Sequence, residues 1–373
     1  MATNKESWLD RLRGLRDRLI ADPRFRDWAL ANPITRPIAR RRARALLDLT
    51  AGFVYSQVLY ACAKLKLFDL LFEAPRTKAE IADGLSLSLD AASRLVDAAA
   101  SLRLVERRGG GRYGLGQIGA ALVGNAAALS LVEHQSLLYV DLADPVALLR
   151  GEKRGRLAQY WPYSASAAPA TLGPGEVAPY SALMAASQPL VAQEALDAYP
   201  IARHRRLMDV GGGEGVFLAA AAARAPDLRL TLFDLPAVVE RARERLAAAG
   251  LLSRAALHGG DFLKDALPDG ADVVTLIRIV HDHDDATALA ILRNVRRALA
   301  PGGVVLVVEA MSGVAGAEPL DAYYGFYTLA MGRGEPRTVA EIEALLAQAG
   351  FARFRLLHNP LTSLTSILVA EAV

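Results

Sequence analysis

Short apolar runs alternate with amphipathic segments through the second half of the chain. Five runs have the length of a buried strand, at 206–210, 228–235, 254–262, 271–280 and 304–311. Segments with helical spacing separate them. The fourth run is apolar at nearly every position, which is typical of a central parallel strand covered on both faces. The pattern predicts an α/β, Rossmann-like domain whose sheet is mostly parallel.

Two further strands are predicted at the end of the chain, at 352–358 and 365–372. The segment between them is too short for the crossover that a parallel pair requires. We therefore expect the last strand to run antiparallel.

The first half of the chain has mainly helical spacing, with one exception at 76–116. Thr77 followed by Glu80 is a capping box that predicts a helix start. A second helix is expected near Ser88, followed by two short strands around Gly109–Gly111. Helix, turn, helix and hairpin form the pattern of a winged helix. We divide the chain into an arm (1–40), a mainly α-helical winged-helix domain (41–200) and an α/β domain (201–373).

Composition is that of an ordinary globular protein, with 53% apolar and 22% charged residues. The single cysteine, Cys62, excludes a disulfide framework and agrees with a cytoplasmic location. We find no secretory signal. We also find no uninterrupted apolar run of transmembrane length, and glycines and charged residues break the nearest candidate, 116–140.

Basic charge is concentrated at the start of the chain. Residues 1–50 carry twelve Lys and Arg against six Asp and Glu, although the whole chain has a net charge of only +3. This arm has three interpretations: a solvated helical face, contact with an anionic membrane, or contact with nucleic acid. Apolar partners suited to a membrane surface are present at Trp8, Leu12, Leu15, Leu19 and Trp28.

A glycine-rich loop, DVGGGEG, follows the first strand of the α/β domain at 209–215. Glycines permit a sharp turn and close approach of a ligand, and the next helix offers its N-terminal N–H groups. Nicotinamide- and flavin-binding folds also use such loops. Asp234 ends the second strand, and the pair Asp261-Phe262 ends the third. Each carboxylate could be a strand-end cap, but together the three elements predict one adenosyl pocket.

The motifs DVGGGEG, FDLP, GGDF and HDHDD, in this order, resemble those of the small-molecule O-methyltransferases of the caffeic acid and hydroxyindole type. The resemblance covers residues 45–373. It implies a class I methyltransferase domain, S-adenosylmethionine as cofactor, and a homodimer in which the winged-helix domain packs against its partner. The implied cofactor-binding residues are Asp209, Gly211, Gly213, Asp234, Leu235, Asp261, Phe262 and Arg278. Where the family often has a lysine, this chain has Ile277.

The resemblance also implies a general base, His281, with Glu309 and Glu335 beside it as catalytic carboxylates. A histidine near neutral pKa suits removal of a hydroxyl proton. The alternatives are a structural histidine, a strand-end salt bridge at Glu309 and a surface position for Glu335. His283 replaces the family's tryptophan. We do not predict a metal site in HDHDD, because Asp284 and Asp285 suit the start of the next helix.

The acceptor is expected to contact Met184, Tyr324 and Tyr327, unless these side chains are plain core. The segments RIVHDHDDA and GRGEPR and the arginine-rich start resemble bacterial O-methyltransferases of carotenoid synthesis. That resemblance implies a hydrophobic acceptor, the tertiary hydroxyl of an acyclic hydroxycarotenoid (hydroxyneurosporene or demethylspheroidene). It would also explain peripheral contact of a cytoplasmic enzyme with the inner membrane.

Three other functions are compatible with parts of this pattern. The first is methylation of a phenol or polyketide, which needs the same fold and base. The second is a DNA-binding winged-helix regulator, for which Arg94 and Arg103 are too few basic residues near the recognition helix. We therefore expect no nucleic-acid partner. The third, a nicotinamide oxidoreductase, is disfavoured by the antiparallel last strand and the Asp261-Phe262 pair.

Overall fold

The computed structural model describes residues 8–161, 163, 166, 168–314, 317–358 and 365–373. The chain divides into two compact units, residues 1–123 and 124–373. The first unit contains the predicted basic arm and winged helix. The domain boundary near residue 200, which was drawn from the sequence, stays a prediction.

The first unit is mostly helical. Its elements are α1 (Trp8–Ala21), α2 (Pro23–Ala31), α3 (Arg36–Lys64), α4 (Leu67–Glu73), β1 (Arg76–Thr77), α5 (Lys78–Gly84), α6 (Leu89–Ser101), β2 (Val105–Arg107), β3 (Arg112–Leu115) and α7 (Gln117–Ala120). Thr77 and Glu80 form the expected capping box at α5, and Ser88 caps α6. Strand β3 pairs antiparallel with β1 and β2, so the predicted helices and hairpin are present.

Among the described residues, helix α3 rather than 116–140 is the nearest candidate for a membrane-crossing length. It has 29 residues and is apolar enough, by length and composition alone, to cross a membrane. The sequence argument required an uninterrupted apolar run, and Asp48 and Gln57 interrupt this one. The mean hydropathy of a window of transmembrane length can stay high despite such isolated polar residues. Only 6% of the apolar window is buried within the described structure.

The second unit is α/β. Its elements are α8 (Ala126–Asp141), α9 (Pro145–Leu149), α10 (Arg156–Tyr160), α11 (Pro174–Ala198), β4 (Arg206–Val210), α12 (Val216–Arg224), β5 (Arg229–Asp234), α13 (Pro236–Ala248), β6 (Ala255–Gly259), β7 (Ala271–Ile277), α14 (Asp285–Ala298), β8 (Leu299–Glu309), α15 (Glu318–Met331), α16 (Val339–Gln348), β9 (Phe351–Leu357) and β10 (Ser366–Ala372).

Seven strands form one sheet in the order β6-β5-β4-β7-β8-β10-β9. The first five are parallel, whereas β10 runs antiparallel to both β8 and β9. This confirms the Rossmann-like sheet and its antiparallel last strand. The strand order reverses on either side of β4, and the carboxyl ends beside such a switch point form a crevice that binds ligands.

Alternate residues of the strands pack on opposite faces of the sheet, as strand geometry requires. Leu207 belongs to a core formed with α11, α12 and α13. Met208, the next residue, belongs to a second core formed with α14 and α16. Because both faces are covered, the sheet is fixed and its carboxyl edge becomes a rigid platform for side chains.

Candidate active site

The glycine-rich loop joins β4 to α12 and has a left-handed backbone at three glycines. The φ angles of Gly211, Gly213 and Gly215 are +69°, +57° and +74°. A Cβ on Gly211 would overlap the Ile279 side chain, whereas a Cβ on Gly213 would meet no atom within 4 Å. Gly213 also lines a cavity of about 390 Å³. The loop backbone is therefore open to a ligand at Gly213.

Asp234, at the end of β5, is tied to this loop. Its carboxylate accepts hydrogen bonds from the backbone N–H groups of Gly213, at 2.8 Å, and Leu235, at 2.7 Å. Burial raises the pKa of Asp234 to about 6, although both hydrogen bonds favour the charged form. Its carboxylate and Leu235 lie in the cavity wall.

Asp209 is buried beneath the loop. The hydroxyl of Thr275, its cross-strand neighbour on β7, donates a hydrogen bond of 2.6 Å to Asp209 Oδ1. Burial raises the pKa of Asp209 to about 7. The carboxyl group is held in place and lines the cavity floor.

Asp261 and Phe262 follow β6, which ends at Gly259 and is shorter than the predicted run. Asp261 is buried and accepts a hydrogen bond of 3.0 Å from the backbone N–H of Leu263. Asn294 donates a 2.8 Å hydrogen bond to the carbonyl of Phe262. The Phe262 ring meets the ring of His283 edge to face, with centroids 5.8 Å apart. All eight cofactor-binding residues predicted from the sequence lie in the wall of the same cavity.

Arg278 occupies an unusual backbone position just after β7, with φ of +57°. Its guanidinium donates hydrogen bonds to Ser187 Oγ (2.8 Å), the Met184 carbonyl (3.1 Å) and Gln188 Oε1 (2.5 Å). Burial lowers the pKa of Arg278. The side chain therefore joins the end of the sheet to α11 as well as facing the cavity.

Aromatic side chains form the other end of the cavity. Trp161, Tyr163 and Tyr180 line it with Met184 and Met331. The rings of Trp161 and Tyr180 are 4.4 Å apart, and the Tyr163 hydroxyl lies 3.2 Å from Ser181 Oγ. Met184 is where the sequence predicted a substrate contact. These three aromatic residues were missed in the sequence because residues 150–180, in which they lie, are rich in Pro, Gly, Ala and Ser, a composition typical of a connecting segment. The aromatic residues within that stretch were the available signal.

Tyr324 and Tyr327, also predicted to contact substrate, are not among the described residues that line this cavity. Tyr327 is buried, with its hydroxyl 2.6 Å from His134 Nε2, and its ring supports that of Trp161. Burial lowers the pKa of His134 to about 4. The ring of Tyr324 lies 6.2 Å from that of His281. Tyr327 therefore packs behind the cavity wall, whereas Tyr324 lies beside the ring of His281.

His281 lies in a short turn after β7, between two carboxylates. Its Nδ1 is 3.6 Å from Glu309 Oε2, and its Nε2 is 3.2 Å from Asp282 Oδ1. Glu309 is fully buried at the end of β8 and accepts the backbone N–H groups of Val280 and His281. Burial opposes charge on His281, but the two carboxylates outweigh it and raise the pKa of His281. Burial also raises the pKa of Glu309.

Asp282 and His283 lie in the cavity wall, whereas His281 stands beside it. Burial lowers the pKa of His283, which favours its neutral form. Its Nδ1 is buried and makes no hydrogen bond with the described residues. Access to the His281 ring from the cavity therefore passes Asp282.

Glu335 is joined to His281 through the backbone. Its N–H donates a 2.9 Å hydrogen bond to the His281 carbonyl, while its side chain is exposed. Arg337, which sequence reasoning missed, is buried and donates hydrogen bonds to the carbonyls of Val280 and His283. Its position in GRGEPRT, two residues after Glu335, was the available signal. This segment fixes the turn that carries His281.

Comparisons with known proteins agree with this geometry. A family model described as an O-methyltransferase domain matches residues 139–352, and one described as an O-methyltransferase dimerisation domain matches residues 47–125. The chain is 45% identical to the demethylspheroidene O-methyltransferase of Cereibacter sphaeroides, over 91% of this chain and 89% of that protein. It is 39% identical to the enzyme of the same name from Rhodobacter capsulatus, over 91% of this chain and 84% of that protein.

Among solved structures, the human N-acetylserotonin methyltransferase in complex with S-adenosylmethionine superposes with a TM-score of 0.75. The two chains are 26% identical, and the match covers 89% of this chain and 97% of the human one.

Proposed function

This chain belongs to the S-adenosylmethionine-dependent O-methyltransferases, and we propose that it methylates the tertiary hydroxyl of an acyclic hydroxycarotenoid with His281 as general base. One cavity carries the proposal. It joins the glycine-rich loop to an aromatic chamber, formed by Trp161, Tyr163 and Tyr180, and the His281–Glu309 pair lies beside it.

The residues present fit the cofactor. The open side of Gly213 leaves room for a ligand against the loop backbone, and Asp234 can accept hydrogen bonds from ribose hydroxyls. Asp261 can accept from an adenine amino group, with Phe262 against the base. Asp209, Gly211 and Leu235 complete this wall, and Arg278 faces it. When bound, S-adenosylmethionine would supply an electrophilic methyl group on a sulfonium, and the thioether S-adenosylhomocysteine would be the leaving group once the S–CH3 bond breaks.

The chain's own groups must orient the acceptor and remove its proton. We assign the proton to Nε2 of His281, as the acceptor O–H bond breaks and the new O–CH3 bond forms. Glu309, on the Nδ1 side, stabilises the imidazolium that results. A tertiary alcohol is too weak an acid for a histidine to ionise beforehand, so proton removal accompanies methyl transfer. Glu335 supports the same turn through its backbone.

The acceptor assignment is supported by the two relatives named demethylspheroidene O-methyltransferase. It is also supported by the cavity wall, where Trp161, Tyr163, Tyr180 and Met184 offer an apolar surface to a long polyene. Tyr324 and Tyr327 are proposed to shape this wall from behind.

We propose that the enzyme works as a cytoplasmic homodimer in peripheral contact with the inner membrane. The match to the dimerisation domain supports the homodimer. The low water solubility of a carotenoid supports the membrane contact, because the acceptor must be collected from lipid.

A methyl-transfer assay tests the function. Purified protein receives labelled S-adenosylmethionine, hydroxycarotenoid in liposomes and, in parallel, a panel of soluble phenols. We expect label in the carotenoid. Label in phenols alone would retain the reaction and discard the acceptor, and no transfer to any acceptor despite cofactor binding would overturn the proposal.

A further inference from the structure

Helix α1 carries an apolar stripe that the fold leaves uncovered. Trp8, Leu12, Leu15 and Leu19 follow one another at intervals of four, three and four residues, which places them within about 60° of arc on an α-helix. Trp8 is 68% exposed and Leu15 is 64% exposed. No residue of α1 is buried in the described structure. The stripe therefore does not serve the core of its own unit.

The charges of α1 are sorted around this stripe. By helical geometry, Arg11 and Arg18 flank it on one side and Arg16 flanks it on the other. Asp10 and Asp17 fall on the opposite face. From residue 8 to residue 45 the chain has eleven arginines and four aspartates, with no lysine or glutamate. An apolar stripe between two arginine rows is the pattern of a helix that lies in a membrane interface.

We propose that α1 docks flat on an anionic lipid surface, with the Trp8–Leu19 stripe in the acyl boundary and the flanking arginines at the headgroups. The purpose assigned to this docking, collection of a lipid-dissolved acceptor, rests on the proposed function; the docking itself does not. Long arginine side chains can extend from the edge of a buried stripe to phosphate groups.

A second copy of the chain is a poorer partner for this stripe. In a symmetric pairing the same surface meets itself. Because arginines flank the stripe on both sides, such a contact would bring like charges together in any orientation. Exposed apolar residues better suited to a partner subunit lie on α3, where Leu47, Leu49 and Phe53 fall within the matched dimerisation domain.

Vesicle sedimentation of the full chain, without acceptor, tests the docking. Phosphatidylcholine vesicles are compared with vesicles that also contain phosphatidylglycerol, at low and high salt. We expect binding to the anionic vesicles that weakens as salt rises. Leu15→Ser should reduce it about tenfold through lost apolar burial. Leu356→Ser, at a residue 50% exposed on β9, is the matched control and should bind as wild type.

Charge is tested on the same helix. Arg11→Gln should weaken anionic binding by about fivefold, whereas Arg13→Gln, an equal charge change away from the stripe, should have a smaller effect. Brominated lipids should quench wild-type tryptophan fluorescence more strongly than that of Trp8→Phe.

Absent or equal binding to the two vesicle types, or equal losses in Leu15→Ser and Leu356→Ser, would overturn the proposal. Light scattering that shows smaller particles for Leu15→Ser would assign the stripe to a second copy instead. If the protein binds anionic vesicles but does not methylate hydroxycarotenoid in the methyl-transfer assay, the docking proposal stands and the proposed acceptor is refuted.

Discussion

The Nδ1 atom of His281 lies 3.6 Å from Oε2 of Glu309, across the carboxyl ends of two neighbouring strands. The same oxygen accepts the backbone N–H groups of Val280 and His281. One buried carboxylate therefore holds the turn by hydrogen bonds and places its negative charge beside the imidazole that the turn carries. This arrangement suits a base whose charged form must be stabilised only after it has taken a proton.

Loss of the imidazole should remove catalysis without removing the cofactor. We expect His281→Ala to lower the rate of methyl transfer by about 10²–10⁴-fold, the usual contribution of a general base. Titration calorimetry with S-adenosylhomocysteine should give nearly the wild-type Kd, because His281 does not line the cavity described above. His258→Ala, outside the site on β6, is the control. A large loss of affinity in His281→Ala would contradict the assignment.

The rate of methyl transfer should rise with pH through a midpoint above the ordinary histidine pKa of about 6.5. The base acts when neutral, and neighbouring carboxylates raise the pKa of His281. Glu309→Gln removes one of these charges, so the midpoint should move to lower pH and the maximal rate should fall. Single-turnover rates across pH measure both effects. An unmoved midpoint in Glu309→Gln, with Asp227→Asn as control, would count against the pairing.

Alanine substitutions at two glycines can distinguish the effect of backbone strain from the effect of ligand contact. Gly213 and Gly250 both have positive φ, and a Cβ on either meets no atom within 4 Å, but only Gly213 lines the cavity. Alanine at either position should lower the free energy of unfolding by about 1–2 kcal/mol. Only Gly213→Ala should also weaken binding of S-adenosylhomocysteine, by about tenfold. Chemical denaturation and calorimetry measure the two quantities, and equal affinity in the two variants would exclude close cofactor approach at Gly213.

Arg278 should affect the acceptor more than the cofactor. Its hydrogen bonds hold the part of α11 that carries Met184, so Arg278→Met should displace one wall of the aromatic chamber. We expect the KM for acceptor to rise more than the Kd for S-adenosylhomocysteine. Arg293→Met, an exposed control on α14, should change neither. A larger effect on the Kd would favour the direct cofactor contact implied by the family resemblance.

The sequence alone predicted the architecture well because periodicity is a local property. Apolar runs gave the five parallel strands, and the short link before β10 gave its direction. Capping residues located helix starts at Thr77 and Ser88 within a residue. Strands β6 and β7 are shorter than their predicted runs, because Asp261 and Phe262 after β6 and Arg278 after β7 leave the sheet to form the site.

Motif order likewise determined which residues gather around the cofactor pocket. The carboxyl ends of adjacent parallel strands must meet at one edge, so Asp209, Asp234 and Asp261 come together in any sheet of this order. Only the tertiary structure determined the contacts between residues that are far apart in the sequence. The aromatic chamber brings Trp161 and Tyr180 onto a cavity shared with the glycine-rich loop, and Arg278 reaches α11 about ninety residues earlier. Such contacts depend on how helices pack over the sheet, and no local pattern in the chain specifies that packing.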